Sequence, residues 1–279
     1  VYFIINKNEK EKKKKILSIV IVCVLLVSLL TTAVMAKDDT LDKILKRGVV
    51  KVGFCVDVPP IKFRDKNNEP AGICVDFAEA LARDLGVELE YVFTDWSGLI
   101  PTLLSGRSDV IIADMSTTLE RAKRVNFTEP WMVTGTYIVV NNESDWTSWK
   151  EMNKEGVQLG CILGTIGEQN IKDILPKAKP VTYNSNVEQK LALEQGRIDG
   201  LANDYLLASR EVAKSDGQLR MLPDPLEADA LGFTLRSDDY HFLIWMNLWI
   251  DHLKSSGEYD QLMDYWIRSD AWEKDYPGY

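Results

Sequence analysis

The chain has 279 residues, of which 46% are hydrophobic and 27% charged, and its formal net charge is -9 at pH 7. This length exceeds what one compact core needs and suits two lobes that share a hinge. The acidic balance argues against a nucleic-acid partner, because phosphate binding needs a basic face.

The first predicted element is a secretory signal. Six lysines among the first fifteen residues precede an apolar run over 16–30 and the small residues Ala33 and Ala36. We expect residues 1–36 to be a signal peptide that is cleaved before Lys37, and the protein to be exported to the periplasm or the cell surface. A retained membrane anchor is the alternative, although the run is shorter than the ~20 residues of a typical span.

The four cysteines indicate neither a metal site nor a cofactor. Cys23 lies in the signal, and the branched Val22 before it argues against lipid attachment. Cys55, Cys74 and Cys161 remain, and their spacing matches no metal-binding motif. One disulfide among these three and three small buried residues are both compatible with the sequence.

The remaining elements follow from hydrophobic periodicity and from glycine and proline breaks. Helices are predicted over 40–47, 77–85, 99–104, 168–174, 187–194 and 206–213, and the chain ends on amphipathic helices over 242–255 and 259–266. Strands are predicted over 49–54, 89–93, 110–112, 137–140, 158–162, 181–183, 200–202 and 231–235, with a polar hairpin loop over 65–70.

This order contains two alternating blocks, which is typical of α/β lobes with a mostly parallel sheet flanked by helices. We expect lobe 1 to comprise 37–134 plus 231–279 and lobe 2 to comprise 135–230. Chain crossovers near 133–136 and 230–233 would form the hinge. Because ligands of such sheets bind at the carboxyl ends of the strands, the informative residues are those that follow each strand.

Three strand ends carry residues suited to a zwitterion. Ser116, Thr118 and Arg121 follow the third strand, where hydroxyl groups suit a helix N-cap and a guanidinium can grip a carboxylate with two hydrogen bonds. Thr165, bracketed by glycines, precedes a helix whose free amides attract anions. Asp204 follows a later strand and suits an ammonium group, or alternatively caps the next helix. Arg121 as an ordinary surface arginine is equally compatible with the composition.

An ordered set of motifs along the chain is typical of one protein family. It consists of Trp96-Ser97-Gly98-Leu99-Ile100-Pro101-Thr102-Leu103, Gly106, Asp109, Thr118-Leu119-Glu120-Arg121, Phe127-Thr128-Glu129-Pro130-Trp131, Gly164-Thr165-Ile166-Gly167-Glu168, Asp199 to Tyr205 and Ser256-Gly257-Glu258-Tyr259. Over roughly residues 41–268 the chain resembles polar amino-acid-binding proteins, the family 3 (type II) periplasmic solute receptors of ABC transporters. The resemblance implies the two-lobed type II periplasmic-binding fold, a monomer, an amino-acid-like ligand and a membrane permease as partner.

The resemblance also implies residue roles. Arg121 would bind the ligand α-carboxylate together with the backbone amides of Ser116 and Ile166. Asp204 would bind the α-ammonium group together with Ser116, and Trp96 would cover the ligand side chain. For Trp96, ordinary core packing is the alternative.

Four positions depart from the family pattern. Asp114 stands where relatives usually have glycine or serine, Cys55 where some receptors of basic amino acids have an acid, Val58 where an aromatic residue is frequent, and Trp131 where tyrosine is usual. Asp114 either binds a second cation of the ligand or turns away into a helix cap. Together with Asp204 it suggests a polar or cationic amino acid or a related amine.

Two other functions share the fold. Cyclohexadienyl dehydratases place a catalytic glutamate shortly after the strand-end aspartate, whereas Tyr205, Leu206 and Leu207 follow Asp204 here, so we expect no enzymatic activity. The ligand-sensing domain of a receptor is the second alternative. The histidines His241 and His252 accompany no nucleophile motif, which argues against hydrolysis.

Overall fold

The structure is a computed structural model that describes Ser18 and residues 39–56 and 58–278. The predicted signal peptide, its cleavage site and Cys23 lie outside the described residues. The compact unit that carries the fold is Asp39–Tyr279. Of the helices in the described part of the chain, none combines the length and the hydropathy that a bilayer crossing requires.

The first lobe is built on a five-stranded sheet in the order β4-β1-β5-β13-β6. Its strands are β1 (Val49–Phe54), β4 (Glu88–Phe93), β5 (Val110–Ile111), β6 (Val125–Phe127) and β13 (Thr234–Arg236), and β2 (Phe63–Arg64) and β3 (Pro70–Ala71) form a separate hairpin. Its helices are α1 (Thr40–Arg47), α2 (Ile73–Leu85), α3 (Leu99–Leu104), α4 (Leu119–Ala122), α8 (Tyr240–Ser256), α9 (Glu258–Met263) and α10 (Trp272–Asp275), with a π-helical turn over Asp264–Arg268.

The second lobe is built on a six-stranded sheet, β11-β7-β10-β8-β9, with β12 also paired to β7. The strands are β7 (Met132–Asn141), β8 (Gln158–Ile162), β9 (Lys179–Tyr183), β10 (Gly200–Asp204), β11 (Leu219–Met221) and β12 (Glu227–Leu231). The helices are α5 (Ile166–Ile174), α6 (Asn186–Glu194) and α7 (Tyr205–Ala213). The predicted α/β class with two lobes is confirmed. Each sheet has a parallel core of three strands, β4-β1-β5 and β9-β8-β10, which antiparallel strands complete.

Two antiparallel strands carry the chain between the sheets. β7 pairs with β12 from Thr136 opposite Glu227 to Met132 opposite Leu231. The chain enters the second sheet through β7, and it returns from β12 into β13 of the first sheet. The two-strand connection between the lobes therefore has continuous backbone hydrogen bonding along its length.

The prediction of one strand over 231–235 is wrong in detail. Gly232 and Phe233 separate β12 from β13, and the two strands belong to different sheets. A side chain at Gly232 would place its Cβ atom 2.8 Å from Thr117 Cγ2, so only glycine fits this crossing without a shift. The Phe233 amide donates to Thr128 Oγ1 at 3.0 Å instead of extending the ladder.

Each lobe has its own apolar core, and the parallel strands of both lobes end at the same cleft. Val58 and Asp114 follow β1 and β5 of the first lobe, and Ile162 and Asp204 end β8 and β10 of the second. All four line one cavity, described below. Among the described residues, Cys55, Cys74 and Cys161 are buried, and no disulfide links these three.

Candidate functional site

The cleft holds a cavity with about 600 Å³ of empty space, counted out to the solvent. The residues that line it come from both lobes and from the connecting strands: Val58, Lys62, Trp96, Asp114, Ser116, Thr136, Ile162, Thr165, Ile166, Gly167, Asn186, Ala202, Asn203, Asp204, Leu207, Asp229 and Leu231. The set combines apolar walls with several charged groups, as expected of a site for a small polar molecule.

Arg121 lies at the rim of this cavity. It follows Thr118, whose hydroxyl caps α4 by accepting from the Arg121 amide at 3.2 Å. The guanidinium donates to the Ser116 carbonyl oxygen and to the Gly164 carbonyl oxygen, both at 3.0 Å. Burial lowers the pKa of Arg121 from its ordinary value, and the nearby carboxylate of Asp229 opposes this effect. The side chain thus links the first lobe to the second in this structure.

A groove adjoins the cavity at Arg121. Thr118 and Arg121 line it from the first lobe, and Thr165, Ile166 and Asp229 line both the groove and the cavity. Thr118 therefore contacts the groove and not the cavity itself.

Ser116 is buried at the centre of the site, where it is 3% exposed. Its hydroxyl donates a short hydrogen bond to Asp229 Oδ2 on β12. Burial raises the pKa of Asp229, while the hydrogen bond from Ser116 and the charge of Arg121 lower it. Because a hydroxyl has one donor and two lone pairs, Ser116 Oγ can still accept from a further donor.

Asp204 is a helix cap that also lines the cavity, so its two sequence-based alternatives do not exclude each other. It ends β10 and caps α7, with Oδ1 accepting from the amides of Leu206 and Leu207 at 2.9 and 3.2 Å. The same side chain lines the cavity. Burial, followed by the charge of Asp114, raises the pKa of Asp204 to about 6, against the lowering effect of the two amides and of Lys62.

The start of α5 presents backbone amides to the cavity. Thr165 caps this helix, since its hydroxyl accepts from the Glu168 amide at 3.4 Å and donates to the Ile162 carbonyl at 2.7 Å. Ile166 is the first helical residue, and both Thr165 and Ile166 line the cavity. The positive end of a nine-residue helix thus faces the space beside Arg121.

Trp96 also lines the cavity, as predicted for an aromatic wall. Its indole Nε1 donates to the Gly164 carbonyl at 3.2 Å, which is the same oxygen that Arg121 contacts. The Arg121 Cζ atom lies 5.8 Å from the centre of the Trp96 ring. One carbonyl of the second lobe therefore accepts from two side chains of the first.

Lys62 is a functional-site residue that sequence reasoning missed. It is 1% exposed, and its Nζ lies 2.7 Å from Asp114 Oδ1. Among the described residues, Asp114 Oδ1 has no hydrogen-bond partner, so the contact with Lys62 is an ion pair. A signal was available: Lys62 follows β1 and Asp114 follows β5, and adjacent parallel strands bring their following residues together.

Two predicted site residues, Thr118 and Arg121, line only the adjoining groove, and two others line neither space. Trp131 is 2% exposed and stacks on Phe233, with ring centres 6.2 Å apart, inside the core of the first lobe. Cys55 is 3% exposed and packs in a cluster with Leu99 and Leu103. Both side chains fill the lobe interior behind the cavity, so we no longer include them among the ligand contacts.

Residues 50–269 match the bacterial extracellular solute-binding proteins, family 3. The chain belongs to this family. The match covers both lobes and every cavity-lining residue.

Curated relatives include binding proteins and one enzyme. The chain is 28% identical over 246 residues to the L-cystine-binding protein TcyJ of Escherichia coli K12, which covers 88% of this chain and 92% of the relative. It is 27% identical to the ABC transporter arginine-binding protein 1 of the same strain, covering 78% and 90%. It is 25% identical to the cyclohexadienyl dehydratase of Pseudomonas aeruginosa, covering 87% and 91%.

Solved structures share the fold. The ancestral amino acid-binding protein AncCDT-1, described as a precursor of cyclohexadienyl dehydratase, is 37% identical with a TM-score of 0.75, covering 82% of this chain and all of that one. An ancestral arginine-binding protein bound to arginine is 30% identical with a TM-score of 0.74, covering 79% and 99%. The family 3 resemblance and the two-lobed fold predicted from the sequence are thus confirmed.

Proposed function

We propose that this protein captures an α-amino acid in its cleft and delivers it to an ABC importer. The observation that carries the proposal is the pair of opposite charges offered by the two lobes, Arg121 from the first and Asp204 from the second. A zwitterion placed between them gains both contacts at once, and burial strengthens each contact. Relatives named for binding cystine and arginine support an amino-acid ligand.

Each end of the ligand has its own set of partners. Arg121 and the backbone amides of Ser116 and Ile166 bind the α-carboxylate, because a guanidinium and a helix start both favour an anion. Asp204 and the Ser116 hydroxyl oxygen bind the α-ammonium group. Trp96 covers the ligand side chain.

Binding favours the closed arrangement of the lobes. Only that arrangement offers both charges, so the ligand shifts the population of closed molecules. Residues 37–134 plus 231–279 move against 135–230 by bending of the paired strands β7 and β12. The membrane permease of the importer recognises the closed form, and the receptor itself acts as an exported monomer without a nucleic-acid partner.

We further propose that the protein is a receptor and not an enzyme. A cyclohexadienyl dehydratase is among the relatives, so dehydratase activity is the enzymatic alternative to be tested. Asp204 is followed by Tyr205 and Leu206, and it caps α7, so the cleft lacks the catalytic glutamate that such enzymes place there. Incubation with arogenate or prephenate should yield no phenylalanine or phenylpyruvate, and turnover of either compound would replace this proposal with the enzymatic one.

Calorimetry with a panel of amino acids tests the binding function. Arg121→Ala and Asp204→Asn should each weaken binding by about 30- to several-thousand-fold, because removing one partner of a buried charge pair costs ~2–5 kcal/mol. Arg124→Ala and Asp224→Asn are matched controls, since both side chains are exposed and lie outside the cavity lining. The proposal fails if no amino acid binds, or if both site variants bind as tightly as the controls.

A further inference from the structure

The cavity contains a cation that belongs to the protein. Lysine is almost never fully buried unless it is paired, yet Lys62 is 1% exposed and lines the proposed ligand site. Its backbone is fixed, because its amide donates to the Val58 carbonyl at 2.8 Å in the turn that follows β1. The ammonium group is therefore part of the wall of the site.

Asp114 is the partner of this cation. The Lys62 Nζ to Asp114 Oδ1 distance is 2.7 Å, and Asp114 is 11% exposed. The sequence suggested that Asp114 receives a second cation from the ligand. In the structure the charge of Asp114 is already balanced by a residue of the same lobe.

Two cationic side chains of the protein lie near the ring of Trp96. Lys62 Nζ lies 5.4 Å from the centre of the Trp96 ring, and Arg121 Cζ lies 5.8 Å from the same ring. A ring face attracts cations electrostatically, but here the protein supplies two of its own. A ligand side chain that reaches Trp96 therefore meets positive charge.

We propose that the Lys62–Asp114 ion pair sets the ligand specificity by excluding cationic side chains. The ligand is then an α-amino acid whose side chain carries no positive charge. Like charges brought together in a desolvated site cost several kcal/mol, which is how binding sites reject a competing ligand. The inference rests on the proposed function, because it assumes that Arg121 and Asp204 hold the α-groups.

Ligands of nearly the same shape, with and without the positive charge, test the inference. Citrulline matches arginine in shape, and norleucine matches ornithine. Calorimetry on the wild-type protein should show each neutral ligand binding at least about tenfold more tightly than its cationic counterpart. Tighter binding of arginine or ornithine would overturn the inference while leaving amino-acid capture intact, whereas no binding by any amino acid would end both.

Substitutions of Lys62 and of Asp114 should change the preference for neutral over cationic ligands in opposite directions. Lys62→Met keeps the aliphatic stem and exposes the Asp114 carboxylate to the ligand, so the preference for neutral over cationic ligands should fall about tenfold or more. Asp114→Asn keeps the Lys62 charge, so the preference should stay or grow, and glutamate should bind more tightly than to the wild type. A purely structural role of the pair would move both variants in the same direction, and that result would overturn the inference.

Folding of the variants is checked separately. Thermal unfolding of Lys62→Met and of the more polar Lys62→Gln identifies any variant that is not native, and either folded variant suffices for the comparison. Unchanged neutral-to-cationic ratios in a folded Lys62 variant would contradict the proposed specificity.

Discussion

The carboxylate of Asp204 caps a helix and also belongs to the proposed ligand site. It caps α7 through Oδ1 and lines the cavity, and burial with the nearby Asp114 raises its pKa to about 6. A group that binds an ammonium ion must be ionised. Under the proposed function, the proton affinity of Asp204 therefore sets the pH range in which the cleft binds a zwitterion.

We predict that amino-acid affinity falls as the pH decreases through 6. Below that value Asp204 is protonated in the free protein, so each further unit should weaken binding by up to about tenfold. Calorimetry between pH 5 and 8 measures this change, and near pH 6 the binding enthalpy should depend on the buffer because a proton is released. Asp114→Asn removes the second cause of the raised pKa, so it should move the midpoint to lower pH. A constant affinity from pH 5 to 8 would contradict this role of Asp204.

Glu211 is a second buried carboxyl group, behind the cavity. Asn203 Nδ2 donates to its Oε2 at 3.2 Å, and burial raises the pKa of Glu211 to about 8. Since the pKa is higher in the folded than in the unfolded state, folding binds a proton between about pH 4.5 and 8. Stability therefore decreases as the pH rises through that window and levels off above it.

We predict that Glu211→Gln flattens this pH dependence. The wild-type protein should have a smaller free energy of unfolding at pH 8 than at pH 5, and the variant should lose the part of that difference that Glu211 contributes, a few kcal/mol in order of magnitude. Urea denaturation at several pH values measures it. Glu155→Gln, at an exposed turn of the same lobe, is the control and should follow the wild type. Parallel wild-type and Glu211→Gln curves would exclude the assignment.

Local signals predicted several site residues, whereas the ion pair depended on tertiary structure. Thr118, Thr165 and Asp204 act as helix caps, which is a short-range property of residue type and position. Lys62 and Asp114 are far apart in sequence, and their contact depends on the pairing of β1 with β5. Asp114 without its partner suggested a polar or cationic ligand, and the ion pair is the reason for proposing a ligand without positive charge instead.

At the scale of elements, local sequence signals predicted the strands and helices better than the connections between them, which depend on tertiary structure. Most strands and helices of both blocks were predicted to within a few residues, because caps and hydrophobic periodicity are local. The strands β6 and β11 were not predicted, and β7 begins at Met132 and not at 137. The break between β12 and β13 was missed, since the run over 231–235 is continuous in hydrophobicity. At this break Gly232 lies close to Thr117, a contact that only the packed structure reveals.

The position of α5 depends on another close approach. A Cβ atom on Gly167 would lie 2.9 Å from the Ala202 carbonyl oxygen of β10. We predict that Gly167→Ala pushes α5 away from β10, costing ~1–3 kcal/mol of stability and weakening ligand binding, because the Ile166 amide moves with the helix. Thermal unfolding and calorimetry measure the two effects.

Gly217→Ala is the control for Gly167→Ala, because it strains the backbone without displacing the proposed ligand site. Gly217 has a φ of 79° and open space around its Cβ position. Gly217→Ala should cost ~1–2 kcal/mol through the left-handed backbone alone and leave affinity unchanged. If Gly167→Ala also retained wild-type affinity, the start of α5 would not contribute to binding.

For the whole molecule, the Gly164 carbonyl links the two lobes across the cleft. Trp96 Nε1 and Arg121 Nη2 of the first lobe both donate to this oxygen of the second, at 3.2 and 3.0 Å. These contacts need no ligand. They stabilise an arrangement in which the lobes are already together, and a bound carboxylate would take over part of the Arg121 interaction.

We predict that Trp96→Phe opens the ligand-free protein. Losing one hydrogen bond of ~0.5–1.5 kcal/mol should reduce the closed-to-open ratio by about 2- to 12-fold. The radius of gyration from small-angle scattering should then exceed that of the wild type without ligand, and saturating ligand should reduce the difference. Trp149→Phe is the matched control, because its indole nitrogen has no hydrogen bond among the described residues. An equal radius for Trp96→Phe and Trp149→Phe would show that the cross-cleft contact does not hold the lobes together, and closure would then depend on the ligand alone.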